Sequence, residues 1–446
     1  MSNQDAISMK KVTMASFVGA LMEWYDFFLY GIAAAVVFNK LFFPNEDPLI
    51  GTIASFASFA IGFLARPIGG VIFGHYGDKI GRKKILVITM MLMGVATFLI
   101  GVIPTYENIG IWAPILLVFL RIIQGFGLGG EYGGAALLVI EHSPRNKRGF
   151  WGGLLQSATS TGLLLATGVF SLVSMLPDEA FFSWGWRIPF LISIILLFVG
   201  TFIRLNIQET PAFQEVKDTG KEAKLPILEL IKTYPKAIFI ALGARLGETV
   251  SSNLLNAFAI AYVSTQLGLP ESVALNAIFV AAAVGIIACP VFGALSDRIG
   301  RKPVYLISTL FLVIFSVPYF MLLNTEVTFI IWLAVVLGYV VGPTMMFSVQ
   351  SVFFTEMFGT NVRYSGLSIA YQVSAALGGF TPLIATSLLA WNDGKPWYVA
   401  IYLMIIAIIS TIATLMAKET YKKDISEIEK EITLSETSYK VSNINN

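Results

Sequence analysis

The chain has 446 residues, 56% of them hydrophobic and 13% charged, with a formal net charge of +2 and a mean hydropathy of +0.75. One soluble core cannot hide so much apolar surface, since soluble domains carry about a quarter charged residues, and a charge this small, spread over short loops, gives no footprint for a nucleic acid. One cysteine, Cys289, and two histidines, His75 and His142, exclude a disulfide framework and argue against a metal centre.

Cutting the chain at clusters of charge, Pro and Gly predicts twelve apolar runs, near 12–40, 50–75, 84–104, 112–140, 150–175, 187–206, 236–265, 273–296, 303–323, 328–354, 362–390 and 397–417. Runs of about 20 apolar residues match the thickness of a hydrocarbon core. Lipid cannot satisfy backbone N–H and C=O groups, so each run is read as a helix; a β-barrel would show alternating segments of about ten. The first run follows MSNQDAISMKK, is too long for a signal-peptide core and carries Glu23 and Asp26, so it is read as a retained span. Of the 30 Lys and Arg, only Lys40, Arg187 and Lys395 fall at odd-numbered connections, and only Arg66, Arg121 and Arg245 lie within spans away from their ends. The rest lie in the termini and even connections, which predicts that both termini are cytoplasmic. The polar stretch 207–235 reads as a linker, and 418–446 as a solvated, frayed tail. The expected fold is an all-α membrane protein with twelve transmembrane helices in two six-helix halves, 1–206 and 236–417, in the plasma membrane and monomeric.

Two motifs recur at nearly one spacing. GHYGDKIGRKK, from Gly74, returns as GALSDRIGRKP from Gly293, 219 residues on. EHSPRNKRG, with Glu141 and Arg148, returns as EMFGTNVRYSG, with Glu356 and Arg363; the two glutamates are 215 apart. Two motifs at almost the same offset imply homologous halves. Each half places its first motif after its second span and its Glu/Arg pair after its fourth. Asp78 and Asp297 then stand at helix ends beside Arg82 and Arg301, where an acid can hold a neighbouring helix in one conformation and release it in another. Gly74, Asp78, Arg82, Asp297, Arg301, Glu141, Arg148, Glu356 and Arg363 are therefore read as a conformational latch.

At these residues the sequence resembles the major facilitator superfamily, whose signature between spans 2 and 3 is approximated by both copies of the first motif. Within it, EWYDFFLYG (Glu23 to Gly31), ARPIGGVIFG (Ala65 to Gly74), RIIQGFGLGGEYGGA (Arg121 to Ala135) and GWRIPF (Gly185 to Phe190) look like the metabolite:proton symporter family. The resemblance implies import of a small carboxylate such as citrate, 2-oxoglutarate or shikimate, or of a zwitterion such as proline or glycine betaine. It also implies that spans 1, 4, 7 and 10 line a central cavity. The long C-terminal coiled coil of osmoregulatory members is missing.

An ionisable group inside a span is expensive and reads as functional. Glu23 and Asp26 share a face of span 1 with Tyr30, and Arg121, Gln124, Leu128 and Glu131 share one of span 4. A buried carboxylate that can pair with an arginine can exchange that partner for a proton. By resemblance to sugar porters, Asp26 and Arg121 match the acid and arginine of spans 1 and 4, Glu23 is the extra acid of the metabolite family, and Glu131 either shares the proton role or caps Arg121. Span 7 carries Arg245, Glu248, Ser252 and Asn256 on one face. Arg245, and Arg66 in span 2, offer planar forks for a substrate carboxylate; an internal Arg245–Glu248 pair is the other reading. Trp24, Tyr25, Gln156 and Tyr371 complete the expected pocket. Gly125, Gly127 and Gly130 spell GxGxxG without a preceding strand, so a dinucleotide site is refused; Gly125, Gly129 and Gly133 instead suit close helix packing. The expected activity is proton-coupled uptake of a small organic acid, with no cofactor. Zwitterion symport and a non-transporting receptor on the same scaffold are the alternatives, and no span shows the nucleophile or metal set of an enzyme.

Overall fold

A computed structural model describes residues 3–44, 47–80, 82–129, 136–137, 139–140, 142–205, 234–358 and 363–421. Among these residues there is no strand, and twelve long helical rods stand where the twelve apolar runs were predicted. The first six are α1 (Asn3–Ala33, continued through Ala34–Phe38 to Leu41), α2 (Pro48–Ile80), α3 (Arg82–Ile100), α4 (Trp112–Leu128), α5 (Arg148–Val173) and α6 (Ile188–Leu205). The last six are α7 (Pro235–Asn253, continued to Gln266), α8 (Glu271–Ile299), α9 (Arg301–Leu323), α10 (Thr328–Tyr339, continued to Thr355), α11 (Arg363–Gly379, then Thr381–Trp391) and α12 (Trp397–Met416).

Among the described residues, eight helices are long and apolar enough to cross a membrane, and α3 and α4 contribute shorter apolar stretches, Val87–Ile100 and Trp112–Leu128. The two that fall short, α5 and α7, are those whose sequences hold Gln156, Ser157, Thr159 and Ser160, and Arg245 and Glu248. All of these side chains are buried, so both helices turn polar surface inward and need less apolar surface outward. The apolar core of α1 is 94% buried against 39% for α12, which places α1 at the centre and α12 at the rim. Exposed Trp112, Trp184, Trp391 and Trp397 cluster at the ends of odd-numbered connections, as expected of a membrane–water interface.

Small residues set the closest approaches. A methyl group on Gly125 would meet the Gly62 carbonyl, and one on Gly129 the Arg66 carbonyl, so α4 lies directly on α2. Gly133 is outside the described residues. Between the halves, α5 packs most extensively against α8, where Gly149 and Gly293 are in mutual contact and Gly153 meets the Cys289 carbonyl. The equivalent crossing six helices on, α11 against α2, also forms. The same pairing rule thus operates twice, as the sequence repeat requires.

Three helices contain π-helical turns: Ala34–Phe38 in α1, Leu254–Phe258 and Tyr262–Gln266 in α7, and Val340–Thr344 in α10. Pro343 has no N–H to donate, and the carbonyls around it are met from α9, where the Ser308 hydroxyl lies 2.7 Å from both the Val341 and Gly342 oxygens. Such irregular turns sit where backbone is covered by protein rather than lipid.

Gly125→Ala should force α2 and α4 apart and lower stability by about 1–3 kcal/mol, the usual range for overpacking. Gly31→Ala, whose methyl would come no closer than 3.5 Å to the Phe59 ring, should be tolerated. Thermal unfolding of the two purified variants checks the contrast; equal midpoints would show that the α2–α4 contact is not limiting.

Candidate functional site

The ionisable side chains buried in the spans gather near the middle of the bundle on α1, α2, α4 and α7. Glu23, Asp26, Arg66, Arg121, Arg245 and Glu248 are each no more than 5% exposed. Their pairing differs from the simplest expectation. Glu23 takes Arg66, with Oε1 and Nη2 3.6 Å apart, while the Arg66 guanidinium lies over the Phe63 and Phe27 rings. Glu248 takes Arg245, one turn earlier on α7, at 3.7 Å. Both are loose contacts, and the Nε atoms of Arg66 and Arg245 have no hydrogen-bond partner among the described residues.

Arg245 is nonetheless well fixed. Nη1 donates to the Tyr371 carbonyl and, at 2.8 Å, to the Ser374 hydroxyl, and the guanidinium stacks 3.4 Å above the Tyr371 ring. Tyr371 thereby serves α7 as a platform. Arg66, on α2, is within electrostatic reach of Tyr371 and Arg245 as well as Glu23. Two buried arginines from opposite halves are thus within electrostatic reach of each other, each flanked by one carboxylate and each over its own aromatic ring.

Asp26 and Arg121 do not touch. Arg121 lies in a cage of Tyr30, Phe59 and Phe63, 4.2 Å from the Tyr30 ring centre, and donates to the Gln124 amide oxygen at 2.5 Å. Gln124 in turn donates to the Thr97 hydroxyl at 2.8 Å, and Thr97 faces the Asp26 carboxyl. The acid and arginine matched by resemblance are thus joined through two neutral side chains inside the first six helices. Glu131, the other acid read beside Arg121, lies outside the described residues.

Trp24 reaches across the halves to Phe347 of α10, edge to face at 5.4 Å, and stacks on Phe28. Asn256 lines a small cavity with Phe27, Phe28, Gly31, Ile32, Phe59, Asn253 and Ala257, between α1, α2 and α7. Gln156 is buried on α5. Tyr25 is a correction: its hydroxyl donates to the Pro189 carbonyl of α6 at 2.7 Å, so this side chain ties α1 to α6 instead of walling the centre. Side-chain direction on α1 separates Trp24 from Tyr25, and sequence spacing alone treats the two alike.

At the end of the bundle that carries the charged motifs, the second motif copy forms a network. The Asp297 carboxylate, near the end of α8, accepts from the Gly149 and Phe150 amides at 2.8 and 2.9 Å, capping the first turn of α5 across the halves. Arg301 pairs with Asp297 at 2.7 Å and lies 3.6 Å from Glu356. Burial pushes the Glu356 carboxyl above its ordinary range, and Arg301 and the Thr420 hydroxyl, which donates to it at 2.7 Å, oppose that shift. Arg148 is buried close by. Glu419 accepts from the Arg301 and Lys302 amides at 3.2 and 2.9 Å, capping α9. The first residues after α12 are therefore bonded into the network, which corrects the reading of a tail frayed from its start; residues beyond 421 are outside those described. Gly74 and Asp78 lie on α2, Arg82 begins α3 and Arg363 begins α11, but their side chains, like all of Glu141, are outside those described. At the opposite end, Lys40 of α1 meets Glu271 of α8 at 3.2 Å, so the halves touch on both sides of the centre.

The profile of the sugar (and other) transporter family matches residues 11–229 and again 219–432. The chain is 44% identical over 93% of its length to a shikimate transporter of Escherichia coli strain K12, covering 95% of that protein. It is 38% identical over 92% of its length to a proline/betaine transporter of the same strain, covering 84% of it. Among solved structures, the proton:xylose symporter XylE matches with a TM-score of 0.73 at 19% identity, covering 96% of this chain and 99% of XylE, a likeness of fold. The chain belongs to the sugar (and other) transporter family, and its fold is that of the major facilitator superfamily. It is a multi-span transporter of the plasma membrane that acts on a small molecule.

Asp297→Asn keeps the size of the side chain but weakens two backbone caps and the Arg301 pair. Transport turnover should fall about tenfold, the scale of one charge-assisted hydrogen bond, with substrate binding unchanged. Uptake and equilibrium binding measured on one reconstituted preparation check this; a loss of binding at normal thermal stability would remove Asp297 from the latch.

Proposed function

We propose that this transporter imports a small organic acid together with a proton, by alternating access of two six-helix bundles, residues 1–206 and 236–417, joined by the 207–235 linker and rocking about the midplane. Both termini are cytoplasmic in this reading, the charged-motif end faces the cytoplasm, and the protein works as a monomer. The observation that carries it is the pair Arg66 and Arg245. They come from opposite halves, both are buried, Arg245 on the Tyr371 ring and Arg66 over Phe63, and each meets its carboxylate only loosely, at 3.7 and 3.6 Å, with an Nε–H that makes no hydrogen bond among the described residues. A carboxylate is the ligand that such donors accept in a planar, two-point geometry. The identity with the shikimate transporter favours an acid.

A second reading rests on Glu248. Its Oε2 is buried with only the loose Arg245 contact and no hydrogen-bond partner among the described residues, and with the Trp24 ring of α1 it would offer a zwitterion an acid and an aromatic face for its cation. The identity with a proline/betaine transporter supports this reading.

A thermal-shift series of the purified protein against shikimate, citrate, 2-oxoglutarate, proline and glycine betaine separates the two, since a ligand that binds only the folded state raises its midpoint. The organic acids are expected to stabilise; stabilisation by proline or betaine alone would overturn the carboxylate reading. With the ligand that responds, Arg66→Lys and Arg245→Lys should weaken binding by about 1–3 kcal/mol, because charge is kept and the fork lost. Alanine should cost more. For a zwitterion, Trp24→Ala and Glu248→Gln become the damaging changes.

Coupling is assigned to Asp26 and Glu23, with Arg121 as the buried counter-charge. Asp26→Asn, a permanent mimic of the protonated acid, should abolish uptake driven by a pH gradient and spare substrate exchange. Gradient-driven uptake at the native rate would exclude Asp26, and Glu23→Gln measured beside it decides which acid is principal.

A further inference from the structure

The link between Asp26 and Arg121 has a defined proton order. The Arg121 Nη1 can only donate, so the Gln124 atom 2.5 Å away is the amide oxygen. That fixes the Gln124 NH2 toward Thr97, whose hydroxyl accepts from it at 2.8 Å. A hydroxyl has one proton and two lone pairs. With one lone pair taken by Gln124, the Thr97 proton has two destinations: the Met93 carbonyl, 2.9 Å away, or the Asp26 carboxyl that faces it. These destinations correspond to the two charge states of Asp26. An ionised carboxylate only accepts and draws the Thr97 proton; a protonated one donates to the free lone pair and returns the Thr97 proton to Met93. Thr97, Gln124 and Arg121 are no more than 1% exposed, so bulk water does not compete for these bonds.

We propose that Thr97 and Gln124 are positioning residues of the coupling site, a two-residue hydrogen-bond relay that carries the charge state of Asp26 to Arg121. This rests on the assignment of Asp26 as a proton site. The other ionisable groups of this region are Glu23, Tyr25 and Tyr30 on α1 and Arg66 on α2; Tyr25 is committed to Pro189 and Tyr30 to Ser58, at 2.8 Å. Among the described residues none of them bonds to Thr97. A relay of neutral side chains lets the acid change charge while the arginine stays in its aromatic cage, so the signal is a reorientation of the Thr97 hydroxyl, passed to Arg121 through the fixed Gln124 amide, and needs no ion pair to break.

The test requires no knowledge of the substrate. Infrared difference spectra of the purified full-length protein, recorded across a pH titration, report the protonated carboxyl band, and Asp26→Asn identifies the part that belongs to Asp26. In Thr97→Val, which keeps the shape and removes the hydroxyl, the ionised form loses its donor, so the midpoint of the Asp26 band should rise by about one to two pH units. Thr97→Ser should restore the native midpoint, and Gln124→Leu should shift it the same way by less. Should Thr97→Val not fold, Gln124→Leu and Thr97→Ser still give opposite expectations. An Asp26 band that does not move in Thr97→Val, or in Gln124→Leu where Thr97→Val is lost, overturns the relay and leaves the proton assignment standing. A titrating band that survives Asp26→Asn unchanged overturns the proton assignment itself, and the relay with it.

Discussion

A charge buried in a membrane-embedded bundle must be neutralised by its neighbours, because the hydration it gives up is worth several kcal/mol per ion. The interior of this protein is arranged around that constraint. Among the described residues, three acids, Glu23, Asp26 and Glu248, and three arginines, Arg66, Arg121 and Arg245, stand buried at the centre. The helices that carry them are held to one another through these groups: α1 to α2 by Glu23 and Arg66, and α7 to α11 by Arg245 with Tyr371 and Ser374. The aromatic rings around Arg66 and Arg121 supply the rest of the compensation through their negative faces. A register slip on any of these helices would strand an ion, so the polar centre specifies the packing that the uniformly apolar outer faces leave open.

The interface between halves follows a different rule. At the motif end the contacts are small residues and helix caps, whereas nearer the centre Trp24 packs on Phe347. Gly149, Gly153 and Gly293 let α5 and α8 approach backbone to backbone, and Asp297 exchanges protein N–H donors for water with little change in its own solvation. Such a surface can open without leaving cavities or unsatisfied core groups behind, whereas the aromatic packing within each half cannot. The Lys40–Glu271 pair at the opposite end is half exposed on the lysine side and is correspondingly weak. Closure is therefore sturdier at the motif end in this conformation.

Hydropathy made twelve spans legible, and the two motif copies made the duplication legible, because both follow from solvent and from covalent order. Membership of the charged centre was legible too: Glu23, Asp26, Arg66, Arg121, Arg245 and Glu248 stand out in any apolar run. Partner choice was not. Whether Asp26 meets Arg121 directly depends on where α3 places Thr97, and a threonine in an apolar span carries no mark that separates it from Thr89. Trp24 and Tyr25 are adjacent, yet one crosses to Phe347 and the other turns to Pro189, a difference set by χ1 and the α1–α6 crossing. Glu419 and Thr420 looked like the start of a solvated tail because their partners, the α9 amides and Glu356, are distant in sequence and the bonds depend on where α12 ends.

The balance of the centre also bears on coupling. Among the described residues of the centre, three acids against three arginines sum to zero when all six are ionised. Bringing in a monoanionic carboxylate leaves the closed centre at minus one, and in a low-dielectric surround an uncompensated charge is the expensive state. Protonation of one acid restores neutrality, so an anion and a proton entering together make the closed form accessible while either alone opposes it. A zwitterion brings no net charge, and the same centre would then close without a proton. In the proposed cycle the charges of the described residues thus favour one proton with each monoanion, and the acid suited to take it is the one whose ionised form has only neutral partners. Glu23 and Glu248 each face an arginine directly; Asp26 faces a hydroxyl, which serves the protonated acid as well as the carboxylate.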